Sequence, residues 1–398
     1  MNYYRELLRQ RERIEPFRSA IHAVVGPEDR VLEVGTGVGT YSFFAADAGA
    51  ARVWAVEGDP VVHVAETIAK LNGYTDRIEF VRGWIPEVVL PERATTLIFE
   101  DFPPRLLDAR THRLLTKLRD RYLTPDARIL PSGARLFAAP VKADSGLASP
   151  LLPLGEEDES AYGLDWSPTR EYVANTAHHL GIPPDATCDP PAVMATLAFD
   201  QVPSVEQIGG TASWEVEQDT EISGIAYWFD LLLTPDIRIS NAPGALPGSW
   251  RQLFLPLDPF LRASAGESIE VGVRPESLRD GAPGWLSWWA RAGENEVRGH
   301  EFASLPASVA DLYAESPDAI PRLSKRGRLE ARVLSSVDGV RSVSEIAREL
   351  AEATDGLTEM EALGLAVRAL KSRIEAPDII GMSTIAGNAP NDHRNNVT

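Results

Sequence analysis

Apolar and polar positions change their period along the chain. Short apolar runs at 31–34, 52–56, 78–82 and 95–99 each end at a glycine or an acid. Between them, 40–49 and 60–72 place apolar residues at helical spacing, and a short turn falls near 84–90. This strand–helix alternation predicts a parallel sheet with right-handed crossovers. Ahead of it, Leu7, Leu8, Ile14, Phe17, Ile21 and Val24 predict an amphipathic helix within 1–25, broken near Pro16. Its other face carries Arg9, Arg11, Arg13 and Arg18. These are solvated charges, or one of them reaches a ligand carboxylate.

Beyond Pro131 the runs shorten and lie between Gly, Pro and Asp: 135–140, 192–199, 211–217, 222–232, 250–255, 268–273 and 284–290. This pattern predicts an antiparallel barrel or sandwich. After a linker at 306–322, helical patterns recur at 329–337, 343–353 and 360–373, with Ser342 or Ser344 placed to cap the second. The expected class is α/β: a Rossmann-like domain at 1–138, a β-barrel domain at 139–305, a small winged-helix-like module at 306–385 and a disordered tail at 386–398.

The first strand and its turn read Val31-Leu-Glu-Val-Gly-Thr-Gly-Val-Gly39, and the second strand ends Ala55-Val-Glu57. A glycine turn opening a helix brings backbone close to a ligand, and a strand-end acid suits a ribose. The turn lacks the dinucleotide spacing, and no Gly-Lys-Ser/Thr follows. Glu33 and Glu57 would repel a pyrophosphate. They suit a ligand with a ribose, an amine and a sulfonium, and S-adenosylmethionine has all three. Glu33, the turn, Glu57, Gly83-Trp84-Ile85 and Glu100-Asp101 all fall at strand carboxyl ends, where such sheets bind ligands.

Composition narrows the partners. The 398 residues carry a formal net charge of -19, which argues against nucleic acid because phosphates need a basic excess. Cys188 is the single cysteine, so no internal disulfide is possible, which fits a reducing cytoplasm. No run is long enough to span a membrane, and no histidine spacing suggests a metal site.

Several stretches carry a resemblance. Val31–Gly39 with Tyr41-Ser-Phe-Phe-Ala-Ala-Asp-Ala-Gly-Ala50 resembles motif I of class I methyltransferases, specifically the protein arginine methyltransferases. Ala55–Glu57, Arg82-Gly-Trp-Ile-Pro-Glu-Val-Val-Leu-Pro91 and Arg119–Pro131 continue the likeness, as do 162–172 and Gly248-Ser-Trp-Arg-Gln-Leu-Phe-Leu-Pro-Leu257. The resemblance implies that Arg13 pairs with the methionine carboxylate and that Gly35, Thr36, Gly37 and Gly39 pack against the cofactor. It further implies that Glu57 and Gly58 lie at the ribose, that Trp84 and Ile85 border the adenine, and that an arm at about 150–190 makes a homodimer.

The acceptor half departs from the family. Glu100 matches the first of two clamping glutamates, but Ala109 stands where the family keeps the second. Asp108 is one residue early and shorter, and Ser249 precedes Trp250 where the family usually has histidine. A planar guanidinium wants two carboxylates, whereas an amine wants one. The expected acceptor is therefore an amine or a guanidine, with Glu100, Asp108, Ser249 and Trp250 as the catalytic set. It belongs either to a peptide, for instance a natural-product precursor held by the C-terminal module, or to a small molecule such as free arginine. The module is similar to the peptide-binding chaperone of pyrroloquinoline quinone biosynthesis. A non-catalytic cofactor-binding scaffold is the rival reading.

Overall fold

A computed structural model describes residues 2–103, 105–106, 108–148, 164–188, 190–245, 250–276, 285–307 and 319–371, without the side chains of Ala109 and Val205. The chain divides into two compact units, Met1–Pro306 and Ala307–Thr398.

The first unit opens with α1 (Asn2–Arg9) and α2 (Arg11–Val24). The expected break lies at Gln10, not at Pro16, which sits inside α2. Proline there forfeits only the bond to the Glu12 carbonyl, so the helix continues through it. Phe17 is fully buried and stacks on Tyr41 with ring centroids 4.6 Å apart, which docks α2 onto α3 (Thr40–Asp47).

The sheet has five parallel strands, ordered β3-β2-β1-β4-β5: β1 (Arg30–Val34), β2 (Arg52–Glu57), β3 (Ile78–Arg82) and β4 (Ala94–Phe99) follow the predicted alternation, and β5 (Leu123–Leu130) adds a strand beyond it. α4 (Val62–Asn72) connects β2 to β3, and α5 (Ala109–Lys117) precedes β5. Leu32, Val53, Leu97 and Ile98 are buried at or near zero exposure, as expected for a sheet covered on both faces. The register pairs Glu33 with Ala55 and with Ile98, so β1, β2 and β4 end side by side.

From Gly133 the chain turns antiparallel. One sheet runs β7 (His178–Leu180), β12 (Gln252–Ala263), β10 (Thr220–Leu232), β6 (Gly133–Lys142) and β8 (Ala192–Ala198), with β11 (Arg238–Ser240) paired to β10. The other runs β15 (Asn295–His300), β14 (Trp285–Ala292), β13 (Ser268–Glu276) and β9 (Gly210–Glu215). The sheets pack through β12 on β14 and β15 and through β8 on β9, giving an open, barrel-like body. Trp288 is buried in its core and donates its indole N–H to the Pro256 carbonyl at 2.6 Å, joining the two sheets. Strands β5, β7, β11 and β15 were not expected from the sequence: β7, β11 and β15 are short and polar, and β5 carries Thr124, Pro125, Asp126 and Arg128 between its buried ends. Part of the expected arm, 149–163, lies outside the described residues. Its later part includes α6 (Arg170–Ala174), tied to the barrel by a bidentate Arg170–Asp258 pair at 2.6 and 2.7 Å.

The second unit holds α7 (Lys325–Ser335), α8 (Val343–Glu352) and α9 (Glu359–Leu370). Val333, Ile346, Leu350, Ala362, Ala366 and Ala369 form its own core. Ser342, not Ser344, caps α8 in a capping box with Glu345, and Thr358 and Glu361 repeat the device on α9. No strand occurs among the described residues of this unit, so the winged-helix expectation rests on three helices alone. The expected tail at 386–398 lies outside the described residues. Among those described, no helix is long and apolar enough to cross a membrane.

The loop between β4 and α5 is anchored by tertiary contacts. Leu106 is fully buried with φ 72, and Arg105 makes a bidentate pair with Glu301 at 2.8 and 2.9 Å. Glu301 also accepts from the Leu286 backbone N–H. Arg105→Met leaves a half-buried carboxylate unpaired, so urea denaturation should show a loss of roughly 3 kcal/mol. A loss under about 0.5 kcal/mol would mean that the pair is a surface ornament.

Candidate functional site

The site forms where β1, β2 and β4 end. After β1 the chain must reverse tightly into α3, and Gly35, Gly37 and Gly39 all take positive φ (77, 57 and 89). The Gly35 and Thr36 N–H groups donate to the Val56 carbonyl at 2.9 and 3.1 Å, holding the turn against β2. A Cβ at Gly37 would meet the Tyr4 ring at 2.6 Å, so glycine there lets α1 lie directly over the turn.

Two buried acids stand beneath this turn. Glu57 accepts from the Gly37 N–H at 2.8 Å through one oxygen and from the Asp59 N–H at 2.9 Å through the other. Each oxygen keeps a lone pair for a further donor. Glu33 accepts from the Thr36 hydroxyl at 2.7 Å and from the Ser42 hydroxyl. Burial pushes the Glu33 carboxyl up to about 7 against the pull of those hydroxyls, and the nearby Glu57 charge adds to the rise.

Arg13 reaches in from α2. It is 8% exposed and its guanidinium pairs with Glu100 at the end of β4. It also lies over the Trp250 ring, 4.4 Å from the centroid, and donates to the Tyr41 hydroxyl. Burial lowers the Arg13 pKa and raises that of Tyr41 to about 12. Trp250 meets Phe229 edge-on, with centroids 5.6 Å apart.

Two cavities adjoin. The smaller, of about 70 Å³, is lined by Tyr4, Arg13, Glu33, the glycine turn, Tyr41 and Glu100. The larger, of about 430 Å³, is lined by Gly35, Glu57, Gly58, Trp84, Ile85, Glu100 and α5 side chains. Trp84 is 56% exposed, and its indole lies so close to Gly58 that a Cβ there would come within 2.3 Å.

The structure thus brings together Arg13, Glu33, Gly35, Thr36, Gly37, Glu57, Gly58, Trp84, Ile85 and Glu100, with Gly39 capping α3 behind the turn. Trp250 joins them through Arg13. Asp108 does not line either cavity: its carboxylate caps α5 by accepting from the Thr111 N–H at 2.7 Å. Ser249 lies outside the described residues. Tyr4, Tyr41 and Ser42 were not singled out from the sequence. Ser42, in the first turn of α3, was the most accessible of the three, since a hydroxyl there can reach back to the strand-end acid.

Comparisons agree with this architecture. Residues 133–280 match the arginine methyltransferase oligomerization subdomain. The protein arginine N-methyltransferase PRMT10 of Oryza sativa subsp. japonica is 27% identical over 304 residues, 68% of this chain and 79% of its own. A probable histone-arginine methyltransferase 1.4 of Arabidopsis thaliana is 29% identical over 289 residues, covering 67% and 54%. Among solved structures, the Trypanosoma brucei PRMT1 enzyme–prozyme heterotetrameric complex with AdoHcy superposes with a TM-score of 0.67 at 21% identity, covering 75% of this chain and 97% of that one. Arabidopsis thaliana protein arginine methyltransferase 10 gives a TM-score of 0.61 at 21% identity, covering 76% and 98%. The fold is that of a class I methyltransferase with an antiparallel barrel-like body behind it. Within that class the chain is arginine methyltransferase-like, as its motifs led one to expect.

Glu33 gives the site a pH signature. Its folded pKa of about 7 exceeds the ordinary 4.5, so its stability contribution is whole below 4.5 and lost as pH rises through 7. Glu33→Gln should abolish that slope, changing the wild-type-minus-variant difference by on the order of 3 kcal/mol between the two ends. Urea midpoints across this pH range test it; parallel curves for the two proteins would refute the assignment.

Proposed function

We propose that the protein is an S-adenosylmethionine-dependent N-methyltransferase whose acceptor is a guanidine or amine group, with the arginine side chain of a protein or peptide as the first candidate. The observation that carries this reading is the gathering of Glu33, the glycine turn, Glu57, Arg13 and Glu100 around two adjoining cavities. The residues fit the cofactor by chemistry. Glu57 retains acceptor capacity for ribose hydroxyls, Glu33 faces an amine, Arg13 meets a carboxylate, and Trp84 with Ile85 borders the adenine. The positive-φ glycines leave room along the backbone, and Gly58 admits the Trp84 ring. When bound, the cofactor supplies an electrophilic methyl carbon on a sulfonium. The solved structures of the Trypanosoma brucei PRMT1 enzyme–prozyme complex with AdoHcy and of PRMT6 with SAH support the choice.

Glu100 would hold and orient the acceptor nitrogen and take up the proton that the nitrogen sheds. Positioning of this kind accounts for much of such a rate. Trp250 bounds the acceptor side. Asp108 does not supply the second carboxylate while it caps α5. The single carboxylate at the acceptor position favours an amine as the second reading.

The oligomerization subdomain supports assembly into a homodimer through the arm at 150–190. The compact second unit is a candidate holder of a peptide substrate, such as a natural-product precursor.

Incubation with isotopically labelled S-adenosylmethionine and arginine- or amine-bearing peptides should yield products heavier by whole methyl groups. Glu57→Ala should weaken cofactor binding roughly tenfold or more. Glu100→Gln should lower kcat roughly 100-fold with cofactor affinity retained. Cofactor binding without transfer to any acceptor would overturn the enzymatic reading in favour of a scaffold. Deleting residues 307–398 should abolish peptide affinity; an unchanged affinity removes the second unit from substrate recognition.

A further inference from the structure

Helix α5 carries a stripe of cations that the site described so far does not use. Arg110, Arg113 and Lys117 stand at i, i+3 and i+7, so they share one face of the helix. All three are exposed, and all three line the larger cavity together with Leu114 of the same helix. Trp84, Glu100 and Asp101 line that cavity as well.

Helix stability does not account for the stripe. Lys117 suits the C-terminal end of α5, but Arg110 lies in the first turn, where acids are favoured and none occurs. Arg110 with Arg113, and Arg113 with Lys117, are like-charge neighbours that repel across one turn. Helix α7 handles its surface charge differently, with Arg326 paired to Glu330 at 2.8 Å. On α5 none of the three cations makes an ion pair or side-chain hydrogen bond with a described residue.

Unpaired cations on one face attract carboxylates and phosphates. A chain of net charge -19 repels a long polyanion at a distance, which disfavours a nucleic-acid backbone and leaves a short acidic segment as the better partner. At about 1.5 Å per residue, Arg110 and Lys117 lie about 10 Å apart along the helix axis. An extended peptide covers that span in about three residues.

We propose that Arg110, Arg113 and Lys117 form a binding strip for acidic residues flanking the methyl acceptor, so that the substrate is an acidic peptide segment. This rests on the reading of Glu100 as the acceptor end of the site and names the substrate class of that same site. Because Glu100 lines the same cavity as the strip, a peptide with its reacting nitrogen at Glu100 lays its neighbouring residues along α5. Basic flanks are turned away by like-charge repulsion, so selectivity comes from rejection as well as attraction.

The probes are three fluorescent peptides of equal length, each with one arginine flanked on both sides by glutamates, glutamines or lysines. A second set carries lysine in place of the arginine. Anisotropy with the full chain and S-adenosylhomocysteine should show glutamate flanks binding roughly 10-fold tighter than glutamine flanks in both sets, and lysine flanks weaker still. The preference should shrink as salt is added. The triple variant Arg110→Gln/Arg113→Gln/Lys117→Gln should erase it, and Arg113→Glu alone should move it toward lysine flanks. The single variant keeps the test decisive if the triple one does not fold. Equal wild-type affinity for the three flanks overturns the strip, as does a folded triple variant that keeps the glutamate preference. An Arg113→Glu protein that loses S-adenosylhomocysteine affinity with its flank preference unchanged assigns the cations to the cofactor and overturns it too. Free arginine that displaces the glutamate peptide as well as an unlabelled copy does would replace the peptide by a single small-molecule carboxylate. Failure of the wild type to bind S-adenosylhomocysteine would instead strike the cofactor reading itself.

Discussion

Everything at this site follows from placing two carboxylates, Glu33 and Glu57, at the ends of adjacent parallel strands and burying both. Exposures of 3% and 9% would make each costly unless hydrogen bonds replaced water. The glycine turn provides them. It turns the Gly37 N–H onto Glu57 and brings the Thr36 hydroxyl to Glu33, while α3 adds Ser42. The turn can do this only because its glycines take positive φ, and it can rest there only because Val56 receives its N–H groups. Removing the acids would take away two of the turn's partners, leaving Val56 as its tie to β2; removing the glycines would take from Glu57 the Gly37 N–H.

Around this pair, charges are matched locally rather than globally. A chain with net charge -19 nevertheless commits a buried arginine to its central pocket. Arg13 is sustained by Glu100, Trp250 and Tyr41 together, each addressing a different part of the guanidinium. The barrel-like body thereby reaches the pocket arginine, because Trp250 leads into β12 while Glu100 directly follows β4. The Arg105–Glu301 pair makes a second tie between the same bodies. The geometry around Arg13 is thus a property of how the sheet and the barrel-like body are joined.

Much of this was legible in the sequence. The parallel strands announced themselves because each apolar run stops at a glycine or an acid, and those acids were identifiable as strand-end groups. The long barrel strands were visible by the same logic. Three kinds of feature were not legible. β7, β11 and β15 are too short and polar to carry a period, and β5 is interrupted by Pro125, Asp126 and Arg128 between its buried ends. The break at Gln10 obeys the packing of two helices rather than the presence of Pro16. The Arg13–Glu100–Trp250 contact joins three distant segments, and no local pattern encodes it. Asp108 is a different case: an aspartate three residues before a backbone N–H that opens a helix is a recognisable cap, and capping α5 is the use the structure gives it.

Helix α1 has a consequence of another kind. Its eight residues bury no side chain completely, and its hold on the molecule at the turn is Tyr4 against Gly37. A helix this short does not persist in water on its own. Its ordering is therefore thermodynamically linked to what occupies the cavities that Tyr4 and Leu7 help to line. Ligand affinity here includes a folding term for the chain's first turns. Binding should accordingly carry a negative heat-capacity change larger than the ligand's own buried surface accounts for. Amide protons of α1 should exchange freely in the empty protein and slow when the pocket fills.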